Sequence, residues 1–122
     1  MKFHPANAAG QNVFTSYGDD YVSINNERYS HPVLVSPAHA VTRWHAEQFE
    51  TLTAAQLEAV LELNPEIVIL GTGSTLRFPK PELTRAIAHA RVGLEVMDTK
   101  AACRTYNILA AEGRQVVAAI LL

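Results

Sequence analysis

The sequence predicts an α/β fold: a three-layer single domain over residues 1–122, with a mostly parallel central sheet, flanking helices and an N-terminal antiparallel β-hairpin portion. Three observations predict it. From Thr53 onward, strand-like and helix-like segments alternate with short links, the mark of parallel βαβ units joined by right-handed crossovers. Before that point, short runs rich in aromatic and β-branched residues are separated by Gly, Asp and Asn, which is hairpin chemistry. Finally, 48% of the residues are apolar and only 18% are charged, which supplies a core and disfavours a disordered chain.

The elements follow in order. Val13 to Tyr17 and Tyr21 to Ile24 read as strands around the turn Gly18-Asp19-Asp20. Asn25-Asn26 makes a second turn, because Asn tolerates positive φ better than most residues, and Glu27 to Ser30 returns from it. Val33-Leu34-Val35, closed by Ser36-Pro37, is a short buried strand. His39 to Glu50 has no clean period, and Trp44 and Phe49 are expected to pin it to the core. Thr53-Ala-Ala-Gln56 matches a capping box ahead of Leu57, Val60 and Leu61 at helical spacing, and Asn64-Pro65 stops that helix. Ile67 to Leu70 is an unalternating apolar strand ending in Gly71-Thr72-Gly73-Ser74. A second helix starts at Pro81, where proline suits the first position, and runs to about Ala90 with Leu83, Ile87 and Ala90 inward. Gly93 to Met97 is the next strand. Asp98 or Thr99 caps a third helix that runs to about Glu112, Gly113 ends it, and Gln115 to Leu121 is the last strand.

Charge and composition exclude several classes. Ten Lys and Arg against twelve Asp and Glu give a net charge of −2, so no basic surplus marks a nucleic-acid partner or a polybasic membrane surface. The longest apolar run, Val116 to Leu122, falls well short of the ~20 residues that span a bilayer. Met1 to Gly10 has no apolar h-region and is not Arg-rich, so a cytoplasmic protein without membrane insertion is expected. The single cysteine, Cys103, makes no internal disulfide, and the five histidines (His4, His31, His39, His45 and His89) show no metal-ligand spacing. No metal and no cofactor are expected.

Candidate chemistry gathers where parallel strands end. In an open α/β sheet, ligands favour the crevice beyond the carboxyl ends of the strands, and the loops Gly71 to Ser74 and Met97 to Thr99 are expected to meet there. Gly71 and Gly73 let backbone N–H groups approach an anion, Thr72 and Ser74 add hydroxyls, and Arg77 follows. The same residues also make an ordinary tight turn that uses glycine only for backbone freedom. Nucleotide fingerprints fail: no Gly-Lys-Ser/Thr ending is present, and Leu76 stands at the third glycine position of a dinucleotide loop. Glu95, about twenty residues on, is a weak match to a ribose-binding acid. Pro79 and Pro81 delay the following helix, so its dipole is not aimed at the loop.

On the third helix, Lys100, Arg104 and Asn107 share a face, most simply as a solvated stripe, with Arg104 also a candidate for the crevice. Cys103 lies in the first turns beside Lys100 and Arg104, which could lower a thiol pKa. A small buried cysteine is the plainer reading. Asp98 is first an N-cap. The candidate ligand-binding set is therefore Gly71, Thr72, Gly73, Ser74, Arg77, Asp98, Thr99, Cys103 and Arg104, with no catalytic residue assigned.

The segments Gly71-Thr72-Gly73, Arg77-Phe78-Pro79, Glu95 to Thr99, Ala101 to Asn107 and Glu112-Gly113-Arg114, with Tyr29, Val33 to Val35 and Trp44, resemble the domain-of-unknown-function 498 family. That family includes a mitochondrial respiratory complex I assembly factor. The resemblance covers nearly the whole chain, and Asn26 stands where many relatives have a glycine that Asn can replace in left-handed geometry. It implies a small stand-alone α/β domain and no established reaction. It also implies protein partners, as an assembly or accessory factor does, and a homodimer suits so small and apolar a chain. The rival expectation is an anion-binding protein or enzyme at the crevice. An exposed apolar patch would favour protein contacts, and a concave pocket where both arginines converge would favour a ligand.

Overall fold

The computed structural model describes residues 10–122; His4 and nearly all of the N-terminal stretch read above for targeting lie outside them. Strands β1 (Phe14–Tyr17), β2 (Val22–Ile24) and β3 (Glu27–Tyr29) form an antiparallel sheet in that order. Asn25 and Asn26 make the β2–β3 turn in left-handed geometry, with φ of 53° and 69°, a conformation asparagine adopts through local hydrogen bonds. Strands β4 (Val33–Val35), β5 (Thr42–Arg43), β6 (Ile67–Thr72), β7 (Gly93–Met97) and β8 (Val116–Leu121) form a second sheet, ordered β5-β4-β8-β6-β7. Its β8-β6-β7 half is parallel, as two successive crossovers require. β4 and β5 extend it antiparallel.

Helix α1 (Ala54–Glu58) begins at the Thr53 capping box, with both reciprocal bonds made to Gln56, and passes into a 3₁₀ turn over Ala59–Leu63. Asn64, at φ 53°, ends it. Helix α2 (Pro81–His89) starts on its proline; Ile87 is buried and Leu83 half-buried, but Ala90 lies beyond the last turn and is exposed. Helix α3 (Thr99–Ala111) is N-capped by Asp98, whose carboxylate accepts from Ala101 N–H at 3.0 Å. The unpatterned stretch 39–50 contains β5 and the start of a 3₁₀ turn over Phe49–Thr51. Trp44 anchors it, 2% exposed, with its indole N–H donating to Gln56 C=O at 3.0 Å.

Each face of the larger sheet carries its own core. Val68, Leu70, Val117, Ala119 and Leu121 pack beneath Trp44, Leu57, Val60 and Ile87 on one side. Ile69, Val116, Ala118 and Ile120 pack against Ala102, Cys103, Tyr106 and Ala110 of α3 on the other, where the small sheet adds Phe14, Tyr17, Val22 and Ile24. The layers are thus α1 and α2, the five-stranded sheet, and α3 with the three-stranded sheet. Near-continuous burial along β6 and β8 is the expected state of strands covered on both faces.

Candidate functional site

β6 and β7 are adjacent and parallel, so the loops that follow them emerge side by side. Thr99 N–H donates to Gly73 C=O at 2.9 Å, and Gly73 N–H donates to the Thr99 hydroxyl at 2.9 Å. That hydroxyl donates in turn to Leu121 C=O at 2.5 Å, so one buried threonine ties the ends of β6 and β8 to the start of α3. Gly73 has φ +94°, a value that favours glycine. Gly71 is needed for space: a Cβ there would stand 3.0 Å from both Ile120 Cδ1 and the Thr99 hydroxyl.

Around this junction Gly18, Asp19, Gly73, Ser74, Asp98, Thr99, Lys100 and Leu122 enclose a pocket of about 150 Å³. Lys100 Nζ donates to Asp19 at 2.9 Å, and the pair is solvent-exposed. The lysine's hydrogen bond and charge hold the Asp19 carboxyl below its usual range, and Asp19 in turn raises the Lys100 ammonium.

The other candidates go elsewhere. Thr72 is fully buried and spends its hydroxyl on Thr75 C=O at 2.7 Å. Arg77 turns toward the α1–α2 side, where its guanidinium pairs with Glu50 and lies 4.7 Å over the Phe49 ring. Glu50's own backbone, then Arg77, hold that carboxyl low. Arg104 lies on the opposite face and donates to the Tyr17 hydroxyl at 2.6 Å. The two arginines thus sit on opposite sides of the five-stranded sheet and do not converge, and the N-terminus of α3 is already capped by Asp98. Cys103 is fully buried, and desolvation pushes its thiol well above the usual range despite Arg104. The Arg104 charge does act to lower this thiol, as expected from sequence, but burial outweighs it.

The polar row of α3 is not a plain solvated stripe, and only Lys100 of it lines the crevice pocket. Lys100 reaches Asp19, Arg104 reaches Tyr17, and the Asn107 amide accepts from Phe14 N–H at 2.9 Å and donates to Phe14 C=O at 2.8 Å. It holds the small sheet to the helix.

A second surface was not singled out from sequence. Phe49, Glu50, Leu52, Arg77, Phe78, Lys80 and Leu83 line an open groove of about 500 Å³. Phe78 is 70% exposed and Leu76, in the same loop, 50%. The signal was present in Leu76-Arg77-Phe78-Pro79: large apolar residues in a proline-bounded link that no regular element can carry inward. The groove can seat apolar side chains, with Glu50, Arg77 and Lys80 as a charged rim.

Comparison with known proteins gives three kinds of match. The family model described as a protein of unknown function (DUF498/DUF598) matches residues 14–121. NADH dehydrogenase (ubiquinone) 1 alpha subcomplex assembly factor 3 of Bos taurus is 32% identical over 111 residues, covering 86% of this chain and 60% of that protein. This chain thus spans about three fifths of that relative's length. A 13 kDa major membrane protein of Francisella tularensis subsp. holarctica (strain LVS) is 29% identical over 109 residues, covering 88% of this chain and 89% of that protein. Among solved structures, a Bordetella parapertussis protein superposes with a TM-score of 0.89 at 41% identity, covering 94% of this chain and 98% of that one. No helix among the described residues is long and apolar enough to cross a membrane.

Proposed function

We propose, because the chain belongs to the DUF498/DUF598 family and resembles proteins named as NADH dehydrogenase assembly factors, that it is a non-enzymatic assembly or accessory factor acting through protein contacts. The observation that carries the reading is the pair Phe78 and Leu76, exposed beside the Phe49–Leu83 groove. Apolar side chains grouped at a charged rim are what a protein-binding patch presents. Arg77 and Thr72 hold the loop from inside, so the patch is displayed rather than merely left over. The proposal places the chain in the cytoplasm, as one folded domain, meeting subunits of a respiratory complex there. The anion-site alternative lacks the convergence of Arg77 and Arg104 that it requires.

The test is genetic and biochemical. In a host that carries both this protein and respiratory complex I, deleting its gene should lower assembled complex I on native gels. The wild-type chain should restore it. Phe78→Asp with Leu76→Asp changes two exposed side chains, so the fold should persist while rescue and co-isolation of subunits are lost. Intact complex I in the deletion strain, with no subunit co-isolating with the tagged chain, would sink the proposal.

A further inference from the structure

Two sheets leave four edge strands among the described residues: β1, β3, β5 and β7. An edge is a row of unpaired backbone groups, and proteins ordinarily blunt it. β1 is blunted by Asn107, whose amide takes both Phe14 groups as a neighbouring strand would. β5 is two residues long, and β3 is three, with Glu27 and Arg28 exposed. β7 differs. It runs five residues and pairs with β6 alone.

The backbone directions on β7 are readable. Gly93 N–H donates to Glu66 C=O, and the Thr72 hydroxyl reaches Met97 C=O at 3.4 Å. Gly93 and Met97 thus turn toward β6, and Glu95 follows by alternation. Leu94 and Val96 must therefore aim N–H and C=O at the open edge. Their side chains pack in the core on the α1–α2 side, and Met97 packs on the α3 side. Glu95 consequently stands on the α3 side, exposed, and it makes no ion pair among the described residues.

Glu95 decides what can add there. An antiparallel second copy that used both Leu94 and Val96 would set Glu95 directly opposite Glu95, and like charges in that position are destabilising. The geometry points to β7 as a docking edge for an extended segment of another protein, with Lys or Arg facing Glu95 and apolar residues flanking it. Main-chain bonds to Leu94 and Val96 supply the attachment, and the charge pair supplies register and choice. The inference deepens the protein-contact reading but uses a surface separate from the Phe78 groove.

The test is selection of a random dodecapeptide display library against the full chain, followed by binding measurements with the enriched peptides. Enriched sequences should alternate apolar residues around a central Lys or Arg. Val96→Pro removes an outward N–H at an edge where proline is tolerated, and it should weaken binding roughly tenfold or more. Glu95→Lys keeps the backbone and should turn the preference toward acidic centres. If Val96→Pro fails to fold in a thermal melt, the Glu95→Lys reversal decides alone. No enrichment, or peptides that bind both variants like the wild type, overturns the edge assignment. That result would leave the Phe78 and Leu76 rescue experiment standing, so failure of the edge and failure of the assembly reading are distinguishable.

Discussion

At Cys103 the chain places a thiol in the middle of the α3 core, with no exposure at all. Desolvation disfavours the thiolate there, and Tyr106, also buried, has its phenol raised for the same reason. Both groups ionise less readily folded than unfolded. Their contribution to stability is complete below the unfolded values of 9.0 and 10.0 and drains away as pH rises above them. The slope reaches about 1.4 kcal/mol per pH unit for each group. Denaturant midpoints measured from pH 8 to pH 11 should therefore fall on the alkaline side. Cys103→Ala should lose the part of the fall that begins near pH 9, at a cost of roughly 1 kcal/mol at neutral pH for the small void it leaves. Native protein should also resist Ellman's reagent. A thiol that reacts at once in the folded state would contradict the burial.

At the scale of elements, the closeness of α3 to β6 rests on Gly71. A Cβ there meets Ile120 Cδ1 and the Thr99 hydroxyl at 3.0 Å and Ala102 Cβ at 3.2 Å. Gly71→Ala would gain roughly 0.5 kcal/mol from a stiffer unfolded chain. Overpacking costs about 1–3 kcal/mol, and the hydroxyl that must move already holds Gly73 N–H and Leu121 C=O. The crowding wins, and urea denaturation should show a net loss of about 1–2 kcal/mol. Gly71 also shows how far sequence reading reaches. A glycine after an apolar run reads as the end of a strand, yet β6 continues through Thr72, because what the glycine serves is the helix above it. The crossovers, the caps at Thr53 and Asp98 and the Asn25-Asn26 turn were legible, since each depends on neighbours within a few residues. The adjacency of the β6 and β7 loops was legible too, because parallel strands joined by one crossover commonly lie side by side. The insertion of β4 beside β8 was not, nor was β5, whose two residues have no period to detect. Side-chain directions were the least legible. Arg77 finds Glu50 and Arg104 finds Tyr17, partners 27 and 87 residues away, and no local pattern encodes such choices.

For the whole molecule, the question is whether the small sheet is an appendage or part of one cooperative unit. Phe14, Tyr17, Val22 and Ile24 share a core with Ile69, Tyr106 and Ile120, and Phe14 meets Tyr106 edge-on with ring centroids 5.2 Å apart. Apolar burial therefore joins the sheets, while Asn107 fixes β1 against α3 by taking both backbone groups of Phe14. Asn107→Ala removes two hydrogen bonds of about 1 kcal/mol each and leaves the N–H and C=O of the buried Phe14 unpaired, for a loss of roughly 2 kcal/mol or more. Trp44 lies in the other core, across the five-stranded sheet, which makes its fluorescence a reporter remote from the change. If the layers unfold together, the Trp44 fluorescence and far-ultraviolet circular dichroism transitions of Asn107→Ala should both shift down and remain coincident. Should the Trp44 transition stay at its wild-type midpoint while circular dichroism loses an early fraction, the small sheet melts separately, and the shared core does not couple the two faces.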